Sequence, residues 1–193
     1  MEVYTMPKLD FNNIKAGHFI QFKSSGGFFQ NRVVKEQLQE GFTPYQSEFT
    51  HIGVSTGGPY MIDATFPRVR EVDIRKKYAG RYIRVVSYQN YTGNDRFHVA
   101  IFAATLNNLK YGWSPLSFWM LKDYFPLDKN FLVKYSEKFG VKYPKAPFCS
   151  LLSGHALFRQ VPDAQQVLNK KKEELMPAHW GLPCFNLIYE GYI

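Results

Sequence analysis

The amino-acid sequence predicts an α+β fold, and three observations lead to that prediction. The chain has 193 residues, of which 45% are hydrophobic and 17% aromatic, so it contains enough apolar material for a sizeable core. Segments that alternate like strands cluster in the first half of the chain. Segments with the apolar spacing of helices flank that cluster. We therefore expect one domain over residues 1–193, with an antiparallel sheet packed against helices.

The predicted strands start with an alternating segment at residues 17–23, which ends at a Ser-Ser-Gly-Gly turn. Further strand-like stretches follow, and the tail of the chain adds a last one. They are residues 50–55, 59–64, 68–73, 82–88 and 185–189.

The predicted helices begin with residues 30–39, and a second helix is capped by Asp95. Pro115 is expected to open a short helix. Another begins near Pro147, carries Leu151, Leu152 and Ala156 inward, and is ended or restarted by Pro162. Residues 123–147 have no assignable pattern, and we interpret them as an insertion near a cleft.

The formal net charge of +8 favours weak contact with polyanions such as nucleic acid, anionic lipid or an acidic polymer. The charge is scattered, and the densest run, at residues 170–172, is followed at once by two glutamates, which indicates a solvated helix face. There is no zinc-ligand spacing and no helix-turn-helix pattern, so specific nucleic-acid binding is not predicted. No metal or cofactor is implied.

The expected location is cytoplasmic. No apolar run approaches the roughly 20 residues of a transmembrane helix, and the first residues do not resemble a secretion signal. Cys149 and Cys184 are the two cysteines, too few for a disulfide framework. A single disulfide bridge and export by another route both remain open.

A hairpin places a histidine and an acid within reach of each other. Residues 50–55 and 60–64 flank the turn Thr56-Gly57-Gly58-Pro59. A three-residue loop over 56–58 would set Gly53 opposite Met61 and His51 opposite Asp63, with Cβ atoms about 5 Å apart on one face. The other face would carry core residues, namely Ile52, Val54, Tyr60 and Ile62. A register shifted by one residue would separate the pair.

Cys149 stands at the start of a predicted helix, where free backbone N–H groups and the helix dipole stabilise a thiolate. Cys184 lacks that setting and is expected to be a small buried residue. His155 lies too far round the helix from Cys149 to act as its base. Taken separately, Cys149 is also compatible with an inert buried thiol, and His51 with a structural histidine. Together with Asp63 they form the pattern of a nucleophile, a base and an orienting acid.

These segments resemble the circularly permuted NlpC-type papain-fold proteins, a group that includes the lecithin-retinol acyltransferase-like enzymes. The similarity spans residues 17–178 in short motifs, and their order, with the His strand before the Cys helix, is that of the permuted members. The matching segments are Gly17-His18-Phe19-Ile20, Thr50-His51-Ile52-Gly53-Val54, Ile62-Asp63-Ala64, Tyr111-Gly112-Trp113, Phe148-Cys149-Ser150 and Met176-Pro177-Ala178.

The chain departs from the group's pattern in three places. His18 stands where an Asp is usual, Asp63 where a Glu is more common, and the stretch from Tyr111 to Cys149 is long. Because Asp63 is one methylene shorter than Glu, its contact with His51 calls for a tight hairpin.

The resemblance implies a permuted papain-like fold and a Cys149–His51–Asp63 triad, with Tyr111 as a possible oxyanion or substrate contact or an aromatic of the core. The expected function is a cysteine hydrolase of the amidase or peptidase type, acting on a peptide or a lipid-like amide or ester. Two alternatives stay open: an acyltransferase on the same fold, and a non-catalytic binding protein with a basic surface.

Overall fold

The computed structural model describes residues 9–65, 67–110 and 149–193. The predicted helix at Pro115, the interpretation of residues 123–147 as an insertion, and Tyr111 lie outside the described residues.

The centre of the fold is a six-stranded antiparallel sheet, so the chain is an α+β protein as predicted. The strand order is β4-β3-β2-β1-β5-β6. The strands are β1 (Phe19–Lys23), β2 (Phe49–Gly57), β3 (Tyr60–Thr65), β4 (Arg68–Asp73), β5 (Tyr82–Tyr88) and β6 (Phe185–Tyr192). All the strand predictions are therefore confirmed, and the last strand continues three residues further than expected.

The described α-helices all lie between strands along the chain. They are α1 (Phe28–Gln39), α2 (Pro44–Ser47), α3 (Ile74–Lys77), α4 (Gly93–Thr105), α5 (Cys149–Gln160) and α6 (Pro162–Leu168), with 3-10 turns at Phe11–Asn13, Lys172–Glu174 and Pro177–Gly181. Pro162 occupies the first turn of α6, where its missing N–H costs nothing. It therefore restarts the helix, one of the two outcomes expected for it.

Two details of the helix predictions are wrong. The N-cap of α4 is Thr92, and Asp95 is the third helical residue. The Asp95 carboxylate accepts a hydrogen bond from the Thr92 backbone N–H in a capping box. The lysine run does not form a helix face. Because α6 ends at Leu168 and Asn169 adopts a left-handed conformation, the run enters the Lys172–Glu174 turn.

Apolar side chains pack into two clusters. One contains Ile52, Val54 and Ile62 together with Leu152, Ala156 and other residues of α4 and α5. Leu151, Leu152 and Ala156 are buried as predicted. The second cluster contains Ile20, Phe22 and Met61 from the sheet and Ile74 from α3.

Because side chains alternate along a strand, neighbouring residues of β1 and of β3 contribute to opposite faces of the sheet. The prediction that Tyr60 is a core residue is wrong. It begins β3 and is 46% exposed.

Candidate active site

His51 lies in β2 directly opposite Phe22 of β1. Its ring lies against the adjoining rings of Phe22 and Tyr78, with centroid separations of 5.6 Å to Phe22 and 6.1 Å to Tyr78. The side chain is only 16% exposed. The histidine is thus held on the α3 side of the sheet by aromatic packing.

A β-bulge precedes His51. Phe22 pairs with His51 and Lys23 pairs with Phe49, so Thr50 is an extra residue on β2. A bulge increases the local twist of a strand and changes the direction of nearby side chains, and bulges occur often beside active sites. The bulge therefore sets the direction in which the His51 ring leaves the sheet.

Asp63 is fully buried and accepts hydrogen bonds on both carboxylate oxygens. Its Oδ1 lies 2.7 Å from His51 Nε2. Its Oδ2 accepts from Lys77 Nζ at 2.6 Å, from Tyr78 Oη at 2.7 Å and, more weakly, from Thr65 Oγ1 at 3.4 Å. A buried carboxylate needs such partners to offset its lost hydration. Here the partners also fix the orientation of the carboxyl group toward His51.

The prediction that His51 lies directly opposite Asp63 is wrong, because the strands pair in a different register. The prediction that both side chains lie on the same face of the sheet is right. Ser55 pairs with Met61 and Val54 with Ile62, because β2 bulges at Thr56 and the loop is shorter than expected. This register is displaced by two residues from the prediction. An even displacement leaves every side chain on its original face, so Asp63 becomes a diagonal neighbour of His51.

Sequence patterns did not single out Lys77 or Tyr78. Both belong to the short segment after β4, where Asp73 caps α3 through the Arg75 backbone N–H. The helix covers the Asp63 side of the sheet through Ile74, which is fully buried. The sequence carries only a weak signal for these two residues. Asp73 ends β4 and caps α3, which indicates that the chain turns back there.

Cys149 is the first described residue of α5, a helix that packs against β2, β3 and α4. Its side chain is half-buried at the border of the larger apolar cluster. Cys149 contributes to the raised pKa of His51, which indicates that the two side chains lie near each other. The structure therefore brings Cys149, His51 and Asp63 together.

The electrostatics of the site favour a charged imidazole. Burial opposes protonation of His51, but the Asp63 carboxylate and Cys149 outweigh it and raise the pKa of the ring to about 10. Burial likewise opposes ionisation of Asp63, and the charges of His51 and Lys77 still hold its pKa below the usual value. Burial and Asp63 raise the pKa of Tyr78, so its hydroxyl keeps its proton and donates a hydrogen bond to the carboxylate.

The remaining residues that the sequence analysis named lie elsewhere in the structure, apart from Tyr111, which is outside the described residues. Cys184 is half-buried as a free thiol, and burial raises its pKa. His155 packs edge-on against the Phe102 ring, with centroids 5.0 Å apart. Pro177 and Ala178 are buried, and hydrogen bonds attach them to Gln21 and Gln37.

Two searches of the described ranges, 9–65, 67–110 and 149–193, were negative. They contain no group of three or more His, Cys, Asp or Glu side chains arranged to hold a metal ion. None of their helices has both the length and the apolar character that crossing a bilayer requires.

Comparison of the chain with models of known protein families, with curated proteins and with solved structures finds no match.

Proposed function

We propose that the protein is a cysteine hydrolase that cleaves an amide or ester bond through an acyl-enzyme on Cys149. The observation that carries the proposal is the buried 2.7 Å contact of His51 Nε2 with Asp63, on a histidine that also interacts with Cys149. The chain order, with the histidine and acid strands before the cysteine helix, supports a permuted papain-like arrangement as part of the same proposal.

In the proposed mechanism, Asp63 occupies Nε2 of His51, so Nδ1 is the ring nitrogen that exchanges a proton with the Cys149 thiol. His51 takes that proton and becomes an imidazolium, which Asp63 stabilises. The thiolate adds to the substrate carbonyl and forms a tetrahedral intermediate. His51 then returns the proton to the leaving amine or alcohol, and an acyl-thioester remains on Cys149.

The second half of the reaction regenerates the enzyme. Water attacks the thioester, His51 accepts its proton, and the carboxylic acid departs as Cys149 recovers its thiolate. The backbone N–H of Cys149, at the start of the described helix, is the candidate donor to the oxyanion. Tyr111 stays a candidate for contact with the oxyanion or substrate.

The proposal predicts a covalent acyl-enzyme. We expect a generic activated ester such as p-nitrophenyl acetate to give a burst of p-nitrophenol and an acetyl group on Cys149, detected by peptide mass spectrometry. The burst should disappear in Cys149→Ala and persist in the matched variant Cys184→Ala. Equal labelling of both cysteines, or a burst that survives Cys149→Ala, would refute the nucleophile assignment.

An acyltransferase is the second candidate, because the same acyl-thioester can pass to an amine or alcohol in place of water. Product analysis separates the two: a free acid indicates a hydrolase, and a transferred acyl group indicates a transferase. A binding protein that retains the arrangement without turnover would form no acyl-enzyme.

A further inference from the structure

A cleft of about 520 Å³ is lined by residues near the start of β1, the end of β5 and the first turns of α4. Its lining includes Lys15, His18, Tyr91, Arg96 and Asn186. His18 precedes β1 and bonds through its carbonyl to the Ser55 N–H, whereas His51 lies opposite Phe22. His18 and Phe22 are four positions apart along the extended chain, which is about 13 Å at about 3.3 Å per residue. The cleft is therefore distinct from the candidate active site.

The cleft is lined by cationic and polar side chains. Lys15 and Arg96 are the charged residues among its described lining, and no described lining residue is acidic. The Lys15 ammonium donates to the Asn12 carbonyl, and Arg96 Nη1 lies 3.4 Å from His18 Nε2. Neither cation is paired with a carboxylate in the described part of the chain.

Two hydrogen-bond donors face each other across the 3.4 Å between Arg96 and His18. His18 Nδ1 accepts the Lys15 backbone N–H at 3.2 Å, so in a neutral ring the proton is on Nε2. Burial and the charges of Arg96 and Lys15 lower the pKa of His18 to about 4, which keeps the ring neutral at pH 7. A guanidinium N–H and an imidazole N–H at this separation leave room for one shared acceptor oxygen.

Tyr91 adds an independent observation. Its hydroxyl oxygen is inaccessible to solvent and, among the described residues, has no hydrogen-bond partner. Burial raises its pKa well above the usual value, so it remains a donor. A buried hydroxyl without a partner is costly, and Tyr91 is one of the residues that line the cleft.

The backbone holds these groups in place. Gly17, which precedes His18, has a φ of +83°, and a Cβ there would lie 2.1 Å from the carbonyl oxygen of Arg96. Only glycine allows the chain before β1 to approach the first turn of α4 so closely. His18 and Arg96 are thereby brought together by main-chain packing and do not depend on flexible side chains alone.

We propose that this cleft binds the oxyanion group of a small ligand, a phosphate or a carboxylate, whose oxygen accepts from Arg96 and His18 while Lys15 and Tyr91 lie alongside. Arginine recognises both groups through charge-assisted hydrogen bonds. The proposal does not involve Cys149, and its test requires no substrate of the candidate active site.

The test is a titration of the full-length protein, with ¹⁵N-labelled histidine, by inorganic phosphate and by acetate at pH 7 and constant ionic strength. We expect a saturable shift of the His18 ring signals and none at His98, which is exposed. Saturation by phosphate alone identifies a phosphoryl group, and saturation by acetate alone identifies a carboxylate. No saturable shift with either anion, or the same shift with chloride, overturns the proposal.

Variants make the test specific. Arg96→Gln should weaken binding by about tenfold or more, since a hydrogen bond to a charged group is lost. The matched control is Arg159→Gln, an exposed arginine in the last turn of α5. If Arg96→Gln fails to fold, Tyr91→Phe serves in its place, because it removes only the hydroxyl and should also weaken binding. Unchanged affinity in a folded Arg96→Gln or in Tyr91→Phe contradicts the site.

Discussion

At the scale of single residues, Asp63 has the greatest influence on the candidate site. Asp63 connects His51 to α3 and the residue after it. One of its carboxylate oxygens bonds His51, and the other accepts hydrogen bonds from Lys77 and Tyr78. A carboxylate fixed in this way keeps the imidazole in one tautomer and stabilises its charged form.

Replacing Asp63 by Asn tests that influence. Burial alone would lower the pKa of His51, and Asp63, with a further contribution from Cys149, raises it to about 10. In Asp63→Asn we therefore expect the pKa of His51 to fall by several units, as measured by an NMR titration of the ring. The control is Asp73→Asn, which changes the N-cap of α3. A His51 pKa unchanged in Asp63→Asn would mean that another group charges the ring.

His18 gives a prediction about stability and pH. The folded pKa of about 4 lies below the ordinary value of 6.5, so between these values the unfolded chain binds the proton more readily than the folded one. Stability is therefore lost as the pH falls through this window, by a few kcal/mol at most, on the order of 1.4 kcal/mol per pKa unit. In His18→Asn, denaturant unfolding between pH 7 and pH 4 should show a smaller loss. An equal loss in both proteins contradicts this account.

At the scale of elements, the β2–β3 hairpin determines where His51 and Asp63 meet. The alternation of apolar residues predicted both strands and the face shared by the two side chains, because that face depends only on a period of two. The register could not be predicted, since the bulge at Thr56 leaves no mark in the alternation. The error of two residues is the kind that preserves the face.

Gly53 makes this hairpin sensitive to substitution. A Cβ there would lie 2.8 Å from Met61 Sδ and 2.9 Å from the Ile62 carbonyl oxygen. We expect Gly53→Ala to lower the free energy of unfolding by about 1–3 kcal/mol through overpacking, measured by urea denaturation. Gly93→Ala is the matched control, because its Cβ meets only the Arg96 side chain at 3.9 Å. Equal stability of the two variants would show that the strands separate without cost.

At the scale of the whole molecule, the candidate site combines a local pair with a distant residue. His51 and Asp63 are twelve positions apart, whereas Cys149 reaches them only through the packing of α5 on the sheet. The sequence indicated each chemical group and the order of the elements. It could not indicate that Lys77 and Tyr78 contact Asp63, because that contact depends on how the chain folds back after β4. It also could not indicate that Arg96 lies beside His18.

The reactivity of Cys149 tests the central claim most directly. Its alkylation by iodoacetamide would be followed from pH 5 to pH 9 in the wild-type protein and in His51→Ala, with Cys184 as the internal reference thiol. We predict rapid alkylation of Cys149 at acidic pH, because His51 is charged throughout this range, and loss of that reactivity in the variant. An alkylation profile like that of an ordinary thiol, with its midpoint at about pH 8.5 and unchanged in His51→Ala, would contradict a catalytic Cys149–His51 pair.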